Sequence, residues 1–162
     1  YVHRLDVLKK TGLDLITYPK PRYSHIAEFK SLNYLYYFEA GDYAKKNNAD
    51  EAIILNPDGS ISETNTANIV LMKEKNILIP KSDHYLKGVT QNKMISILQR
   101  EGYTVTEKTI YPYELKNPYQ IILSNSLIGA TVVKSIDNLS LDISSHYFVN
   151  KINTELFNDL QS

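Results

Sequence analysis

Residues 49–63 read ADEAIILNPDGSISE, an apolar run followed by a turn and a second, shorter run. Glu51 to Leu55 is predicted to be a buried strand because it is short, rich in isoleucine and bounded by turn residues. Asn56 to Gly59 carries Pro, Asp and Gly in an order typical of a tight turn. Ser60 to Glu63 then returns, so this stretch predicts a β-hairpin that ends on a carboxylate.

Strands and helices are mixed on both sides of this hairpin. We predict further strands at residues 13–18, 68–72, 77–80, 103–109, 121–123 and 131–136. We predict helices at residues 2–11, 29–46 and 90–100 and from about residue 145 onward. This mixture predicts a single α/β or mixed α+β domain over residues 1–162.

Two of the predicted helices show an apolar stripe. In the first long helix the stripe at three- and four-residue spacing comprises Phe29, Leu32, Tyr36, Ala40 and Tyr43. In the last helix the stripe at four-residue spacing comprises Phe148, Ile152, Leu156 and Leu160. We expect both stripes to face the core, and docking of a partner on the last helix is the weaker interpretation.

The composition excludes several classes of function. Lys plus Arg number 18 and Asp plus Glu number 18, with no basic stripe, so neither nucleic acid nor a membrane surface is an expected partner. The absence of cysteine excludes disulfide scaffolds, cysteine zinc sites and thiol catalysis. We find no apolar run of membrane-spanning length and no signal peptide, and the second absence is one ground for expecting a cytoplasmic protein.

Metal and serine-hydrolase chemistry have little support in the sequence. The four histidines are scattered along the chain, so no metal site is expected. The sequence also contains no Gly-x-Ser-x-Gly elbow of a serine hydrolase and no glycine-rich nucleotide loop. Ser82, Asp83 and His84 have the residue types of a catalytic triad. Triad members normally lie far apart in sequence, so this stretch is expected to be an ordinary loop.

Two hydroxyl-rich segments are candidate anion sites. The segment Leu86 to Thr90 leads directly into a predicted helix, and free N–H groups at a helix start can bind phosphate. Taken alone, Thr90 is better explained as a simple N-cap. Ser124 to Ser126 is a second polar cluster at a strand end, and taken alone it is likewise better explained as an ordinary loop.

Lys30 and Glu63 complete a chemical set with these two segments. Each is taken alone as a surface charge, Lys30 at the start of the long helix and Glu63 at the end of a strand. Together they supply what pyridoxal phosphate needs. A lysine amine forms a Schiff base, a carboxylate keeps the pyridine nitrogen protonated, and the two segments bind the phosphate.

The order of these motifs resembles that of the fold type IV pyridoxal-phosphate enzymes, which include branched-chain and D-amino-acid aminotransferases and aminodeoxychorismate lyase. The resemblance covers about residues 13–137. It is carried by six stretches in the family's order, namely Lys30–Tyr34, Ala49–Asn56, Asp58–Glu63, Asn68, Leu86–Thr90 and Ser124–Leu127. It implies the large C-terminal domain of that family, a barrel-like mixed sheet with flanking helices.

The resemblance also implies a role for each candidate residue. Lys30 is the Schiff-base lysine and proton shuttle, and Glu63 is the partner of the pyridine nitrogen. The implied cofactor-binding set is Lys30, Glu63, Leu86, Val89, Thr90 and Ser126. Leu86 packs against the ring, the backbone N–H groups of Val89 and Thr90 bind the phosphate, and the Thr90 and Ser126 hydroxyls add hydrogen bonds.

The sequence departs from the family pattern in two respects. Asn65, Val70 and Gln91 stand where a small, an aromatic and a basic residue are usual. The family also has an N-terminal domain that supplies phosphate and substrate contacts, and we expect that domain to be absent from this chain. The resemblance further implies a homodimer that acts on a small-molecule amine.

Three functions remain open at this point. The run Asn125–Leu127 is more similar to the lyases, which favours 4-amino-4-deoxychorismate lyase, an enzyme of folate biosynthesis that forms 4-aminobenzoate and pyruvate. A branched-chain or D-amino-acid aminotransferase would use the same groups at the cofactor. The third alternative is a non-catalytic or incomplete fragment that retains the fold.

Overall fold

The computed structural model describes residues 11–27, 29, 31–116, 119–144 and 146–158. Within these residues nine strands form one sheet in the order β3-β2-β1-β8-β7-β4-β5-β6, with β9 paired to β8. The strands are β1 Leu13–Thr17, β2 Glu51–Leu55, β3 Ile61–Thr64, β4 Asn68–Lys73, β5 Asn76–Pro80, β6 Thr104–Lys108, β7 Gln120–Asn125, β8 Gly129–Ile136 and β9 Leu139–Ser140. The predicted strands are confirmed to within two residues.

The sheet is mixed and curls into a half-barrel, which confirms the predicted fold class. Strand β1 runs parallel to β2 and β8, and β5 runs parallel to β6, whereas the other pairs are antiparallel. The predicted hairpin joins β2 to β3. Strands β3 and β4 follow each other in sequence but are not paired, so the short turn between them crosses from one part of the sheet to another.

Side chains alternate along each strand, so each strand contributes to both faces of the sheet. Both faces are apolar. The inner face packs around Leu15, Ile53, Ile69, Leu123 and Val133 and is covered by Ile110 and Leu115. The outer face packs Val70, Ile122 and Val132 against Met94, Leu98 and Ile152. The outer face therefore buries the apolar sides of the helices at residues 89–100 and 146–158.

Three α-helices lie in the described residues: α1 Leu35–Lys46, α2 Val89–Arg100 and α3 His146–Asn158. A short 3₁₀ helix spans Pro112–Lys116. In α3, Ile152 and Leu156 are buried, which confirms that its apolar stripe faces the core. None of the described helices has both the length and the apolar character that crossing a bilayer would require.

The first long helix begins six residues later than predicted. Its first residue is Leu35, and Leu32 is fully exposed, so the predicted stripe is wrong at its start. The Ser31 hydroxyl accepts a hydrogen bond from the Asn33 N–H, a local turn that competes with helix formation. Phe29 is also exposed, because neither side chain finds apolar surface within the described chain.

Other boundaries differ slightly from the prediction. Helix α2 begins at Val89 with Gly88 as its N-cap, so the interpretation of Thr90 as the cap is wrong. Ser124 and Asn125 belong to strand β7. Ser82 to His84 is a loop, as predicted. The predicted helix at residues 2–11 lies outside the described residues except for residue 11, and residue 160 also lies outside them.

Candidate active site

Strand β3 delivers a buried acid at the end of the sheet. The Glu63 side chain is 6% exposed, and its Oε1 accepts a hydrogen bond from the Tyr37 hydroxyl at 2.5 Å. The Nη1 atom of Arg22 lies 3.9 Å from the same oxygen. The other oxygen, Oε2, accepts a long bond of 3.4 Å from the Leu86 N–H. One oxygen of the carboxylate is therefore held closely, and the other is held weakly.

Burial controls the ionisation of this acid. Desolvation raises the pKa of Glu63 to about 7, against the opposing effects of the Tyr37 hydroxyl, the Leu86 N–H and the Arg22 charge. Burial also raises the pKa of Tyr37, and the charge of Glu63 adds to that rise. The phenol therefore stays a hydrogen-bond donor, and Glu63 can hold or release a proton near neutral pH.

The segment from Leu86 to Thr90 links this acid to the start of helix α2. Asn68 Nδ2 donates a hydrogen bond of 2.7 Å to the carbonyl oxygen of Leu86. The N–H of Leu86 donates to Glu63 Oε2. A Cβ on Gly88 would lie 2.0 Å from Asn68 Oδ1, so this position requires glycine for close approach. No side chain caps α2, which leaves its first N–H groups for an anion.

The turn after strand β7 lies beside the segment from Leu86 to Thr90. Strands β4 and β7 pair Asn68 with Ser124, which places the turn after β7 next to the residue that holds Leu86. Asn125 Nδ2 donates to the Thr66 carbonyl at 3.2 Å, and its Oδ1 accepts the N–H groups of Leu127 and Ile128 at 2.9 Å each. Asn125 therefore shapes the exposed turn that carries Ser126.

The family profile described as amino-transferase class IV matches residues 7–136. The chain belongs to this family. Its members are enzymes that use pyridoxal phosphate. The fit to this cofactor rests on the donor set seen here: a buried acid with one weakly held oxygen, an uncapped helix N-terminus and a hydroxyl-bearing turn.

Two curated members of the class IV family illustrate the similarity. The D-alanine aminotransferase of Bacillus licheniformis is 27% identical over 134 residues, which cover 82% of this chain and 47% of that protein. A probable branched-chain-amino-acid aminotransferase of Aquifex aeolicus is 34% identical over 91 residues, which cover 55% of this chain and 29% of that protein. This chain therefore spans less than half of either relative.

Solved structures show the same fold. A putative 4-amino-4-deoxychorismate lyase from Legionella pneumophila superposes with a TM-score of 0.84 at 27% identity, covering 93% of this chain and 57% of that one. The PLP-bound form of a hypothetical aminotransferase from Mycobacterium tuberculosis gives a TM-score of 0.85 at 20% identity, covering 96% and 59%. The second likeness concerns the fold alone.

The structure brings most of the sequence-predicted class IV site residues to one end of the sheet. Glu63 and Leu86 are in contact, Val89 and Thr90 begin α2 three residues after Leu86, and Ser126 lies in the adjacent turn. Lys30 lies outside the described residues. Their roles toward a cofactor stay predictions.

Three residues at this site were missed by the sequence analysis: Arg22, Tyr37 and Asn68. Asn68 is by itself one of the six stretches that carried the resemblance, but only its bond to Leu86 and its approach to Gly88 show what it does. Arg22 and Tyr37 carry no sequence signal, because their link to Glu63 depends on how distant segments fold together.

The departures from the class IV pattern are accommodated by packing. Asn65 Oδ1 accepts the Ala52 N–H at 2.6 Å, and its Nδ2 would be 2.9 Å from a Cβ on Gly41 of helix α1. Asn65 is therefore used at the junction of α1 and β2. Val70 is fully buried in the outer core, and Gln91 is buried in α2.

Within the described part of the chain, no group of three or more His, Asp or Glu side chains is close enough to hold a metal ion. The residues around Glu63 instead combine one acid with hydrogen-bond donors. Such a set suits an organic cofactor that carries both a basic nitrogen and a phosphate.

Proposed function

We propose that this chain forms the pyridoxal-phosphate site of a class IV enzyme that acts on a small-molecule amine. The observation that carries the proposal is the hydrogen-bonded chain from Glu63 through Leu86 to Asn68, which couples a buried acid to an uncapped helix start. This arrangement presents an anion to a ring nitrogen and N–H donors to a phosphate, on one short segment.

Each residue has a defined task in this proposal. When bound, the cofactor supplies an electron sink for the carbanion formed at the substrate carbon. Glu63 holds the proton on the ring nitrogen, and the Val89 and Thr90 N–H groups bind the phosphate. The Thr90 and Ser126 hydroxyls add hydrogen bonds, and Leu86 packs against the ring. Lys30 carries the cofactor covalently and moves the substrate proton.

Exposed apolar side chains support the proposal that further protein covers part of this chain. They include Leu32 at 100% exposure, Leu35 at 77%, Phe38 at 72%, Val89 at 77% and Leu127 at 68%. Exposed apolar surface is a frequent mark of a protein–protein contact. We propose that an N-terminal domain and the second subunit of a homodimer cover it and complete the substrate pocket.

The first candidate reaction is that of 4-amino-4-deoxychorismate lyase in cytoplasmic folate biosynthesis. Lys30 would take the proton from the amine-bearing ring carbon, and the C–O bond to the enolpyruvyl group would break to give 4-aminobenzoate and pyruvate. The Asn125–Leu127 run favours this reaction, as does the likeness to the putative 4-amino-4-deoxychorismate lyase from Legionella pneumophila.

The second candidate is an aminotransferase. The D-alanine aminotransferase of Bacillus licheniformis aligns with 82% of this chain, and other curated relatives are named branched-chain-amino-acid aminotransferases. In this reaction Lys30 would move the α-proton of an amino acid to the cofactor carbon. A product assay with 4-amino-4-deoxychorismate and a panel of L- and D-amino acids, on the chain joined to its upstream domain, separates the two reactions.

Cofactor uptake provides the direct test of the proposal. The purified chain incubated with pyridoxal phosphate should develop a yellow absorption band, and borohydride should fix the cofactor to Lys30. Peptide mass spectrometry locates the label, and the peptide that carries the exposed Lys87 is the internal control. A colourless protein, or label spread evenly over surface lysines, would contradict the proposal and favour the non-catalytic alternative.

Replacing Gly88 with alanine should weaken cofactor binding about tenfold. The new methyl group meets Asn68 Oδ1 at 2.0 Å, so Asn68 must release the Leu86 carbonyl and the phosphate-binding segment shifts. Equilibrium titration with pyridoxal phosphate measures the loss. The double variant Gly88→Ala/Asn68→Ala should bind no worse than Asn68→Ala alone, because the collision is gone. Additive losses would contradict this explanation.

A further inference from the structure

Tyr37 is the closest side-chain partner of the buried acid among the described residues. It is the third residue of α1, and its hydroxyl donates to Glu63 Oε1 at 2.5 Å. Its ring is held on two sides. The Arg22 guanidinium carbon lies 4.6 Å from the ring centroid, and the Tyr34 ring centroid lies 5.9 Å away. The phenol is therefore fixed before any ligand binds.

We propose that Tyr37 is a positioning residue that fixes Glu63 Oε1 and so keeps Oε2 available, as an anion, for the ring nitrogen of the cofactor. The inference rests on the proposed function, because it assigns a task within that site. Nothing in the sequence motifs pointed to Tyr37. The assignment comes from the unequal bonding of the two carboxylate oxygens.

The unequal bonding gives the direction of this effect. A carboxylate that accepts a short bond from a phenol is stabilised as an anion, whereas a protonated acid gains less from that donor. Oε2 receives only the 3.4 Å bond from Leu86 and keeps capacity for a second donor. A protonated pyridine nitrogen is such a donor. Without Tyr37, the buried acid would more readily take the proton from the ring.

Arg22 does not replace Tyr37 in this role. Its Nη1 donates to the His84 carbonyl at 3.1 Å and lies 3.9 Å from Glu63 Oε1, beyond hydrogen-bond distance. Its guanidinium instead packs on the Tyr37 ring. Arg22 therefore supplies charge and holds the phenol in place. Tyr85 is a further titratable group near Glu63, and burial raises its pKa, with smaller contributions from the charges of Glu107 and Glu63.

The test is a titration of Glu63 in the full chain without cofactor. Carbon-13 NMR of protein labelled at the Glu carboxyl groups follows the ionisation, and Glu63→Gln assigns the resonance. In Tyr37→Phe we expect the Glu63 pKa to rise by about one unit or more above its value in the unaltered chain. Tyr36→Phe is the matched control, because its hydroxyl donates to the Lys20 carbonyl at 2.5 Å and its Glu63 titration should be unchanged.

A Glu63 titration that is the same in Tyr37→Phe, Tyr36→Phe and the unaltered chain would overturn the inference. Should Tyr37→Phe fail to fold by near-UV circular dichroism, 3-fluorotyrosine placed at position 37 gives the opposite test. Its more acidic phenol donates more strongly, so the Glu63 pKa should fall, and an unchanged value overturns the inference equally.

Added cofactor separates this inference from the proposed function. With pyridoxal phosphate and the upstream domain present, Tyr37→Phe should lower kcat about tenfold with little change in KM, and Tyr36→Phe should change neither. If the unaltered chain takes up no cofactor while Tyr37→Phe still shifts the Glu63 titration, the proposed function fails and the coupling of Tyr37 to Glu63 stands. An unchanged kcat in Tyr37→Phe that binds cofactor would overturn the positioning role.

Discussion

Replacement of Lys30 by alanine should abolish turnover, with a loss of at least about 10⁴-fold. The proposed mechanism uses this amine twice, to carry the cofactor and to move the substrate proton, and none of the described lysines is assigned to either step. Turnover of the chain joined to its upstream domain measures the loss. The absorption band of the covalently held cofactor should disappear at the same time.

The fold should survive this replacement. The described neighbours Phe29 and Leu32 are exposed, and helix α1 begins only at Leu35, so this segment contributes little to the core. Lys20→Ala is the matched control, because Lys20 forms a surface ion pair with Glu39 and should keep full activity. Free methylamine should restore part of the turnover of Lys30→Ala. Full activity in Lys30→Ala would remove this residue from the mechanism.

The strands were predictable because their signal is local. Glu51 to Leu55 is an isoleucine-rich run beside a turn that contains Pro and Gly, and β2 appears at those same residues. The start of α1 was not predictable in the same way. The spacing of Phe29 and Leu32 fits a helix, but periodicity cannot show whether the described chain offers a surface for them to pack on.

The candidate site divides along the same line. Glu63 could be named as a candidate because it is a carboxylate at the end of a predicted strand. The segment Leu86 to Thr90 could be named because its residues are consecutive and lead into a predicted helix. Tyr37 was not found, because its bond to Glu63 joins residues 26 positions apart on a helix and a strand. Thr90 was assigned as a cap because hydroxyls often are, whereas the N-cap of α2 is Gly88, which lies close to the Asn68 side chain.

Glu63→Gln should lower turnover at least about a hundredfold while leaving cofactor uptake measurable. A neutral amide cannot hold the proton on the ring nitrogen, so the ring accepts electrons less readily at the carbanion stage. Stopped-flow absorbance separates the slowed proton abstraction from substrate binding. Glu74→Gln, in the exposed turn between β4 and β5, is the control and should retain full turnover. An unchanged rate in Glu63→Gln would exclude Glu63 from the chemistry.

The same variant should change how stability depends on pH in the cofactor-free chain. Burial raises the pKa of Glu63 to about 7, so the folded state favours its protonated form. Its contribution to stability is complete below the unfolded pKa of about 4.5 and is lost as the pH rises through 7.

Glu63→Gln resembles the protonated acid and lacks this loss, so its advantage in free energy of unfolding should grow between pH 4.5 and 7, to at most about 3 kcal/mol. Urea denaturation at a series of pH values measures the difference. Glu51, whose pKa burial also raises, is present in both proteins and cancels in the comparison. Parallel stability curves across this range would mean that Glu63 is already ionised at acid pH, and the buried environment assigned to it would be wrong.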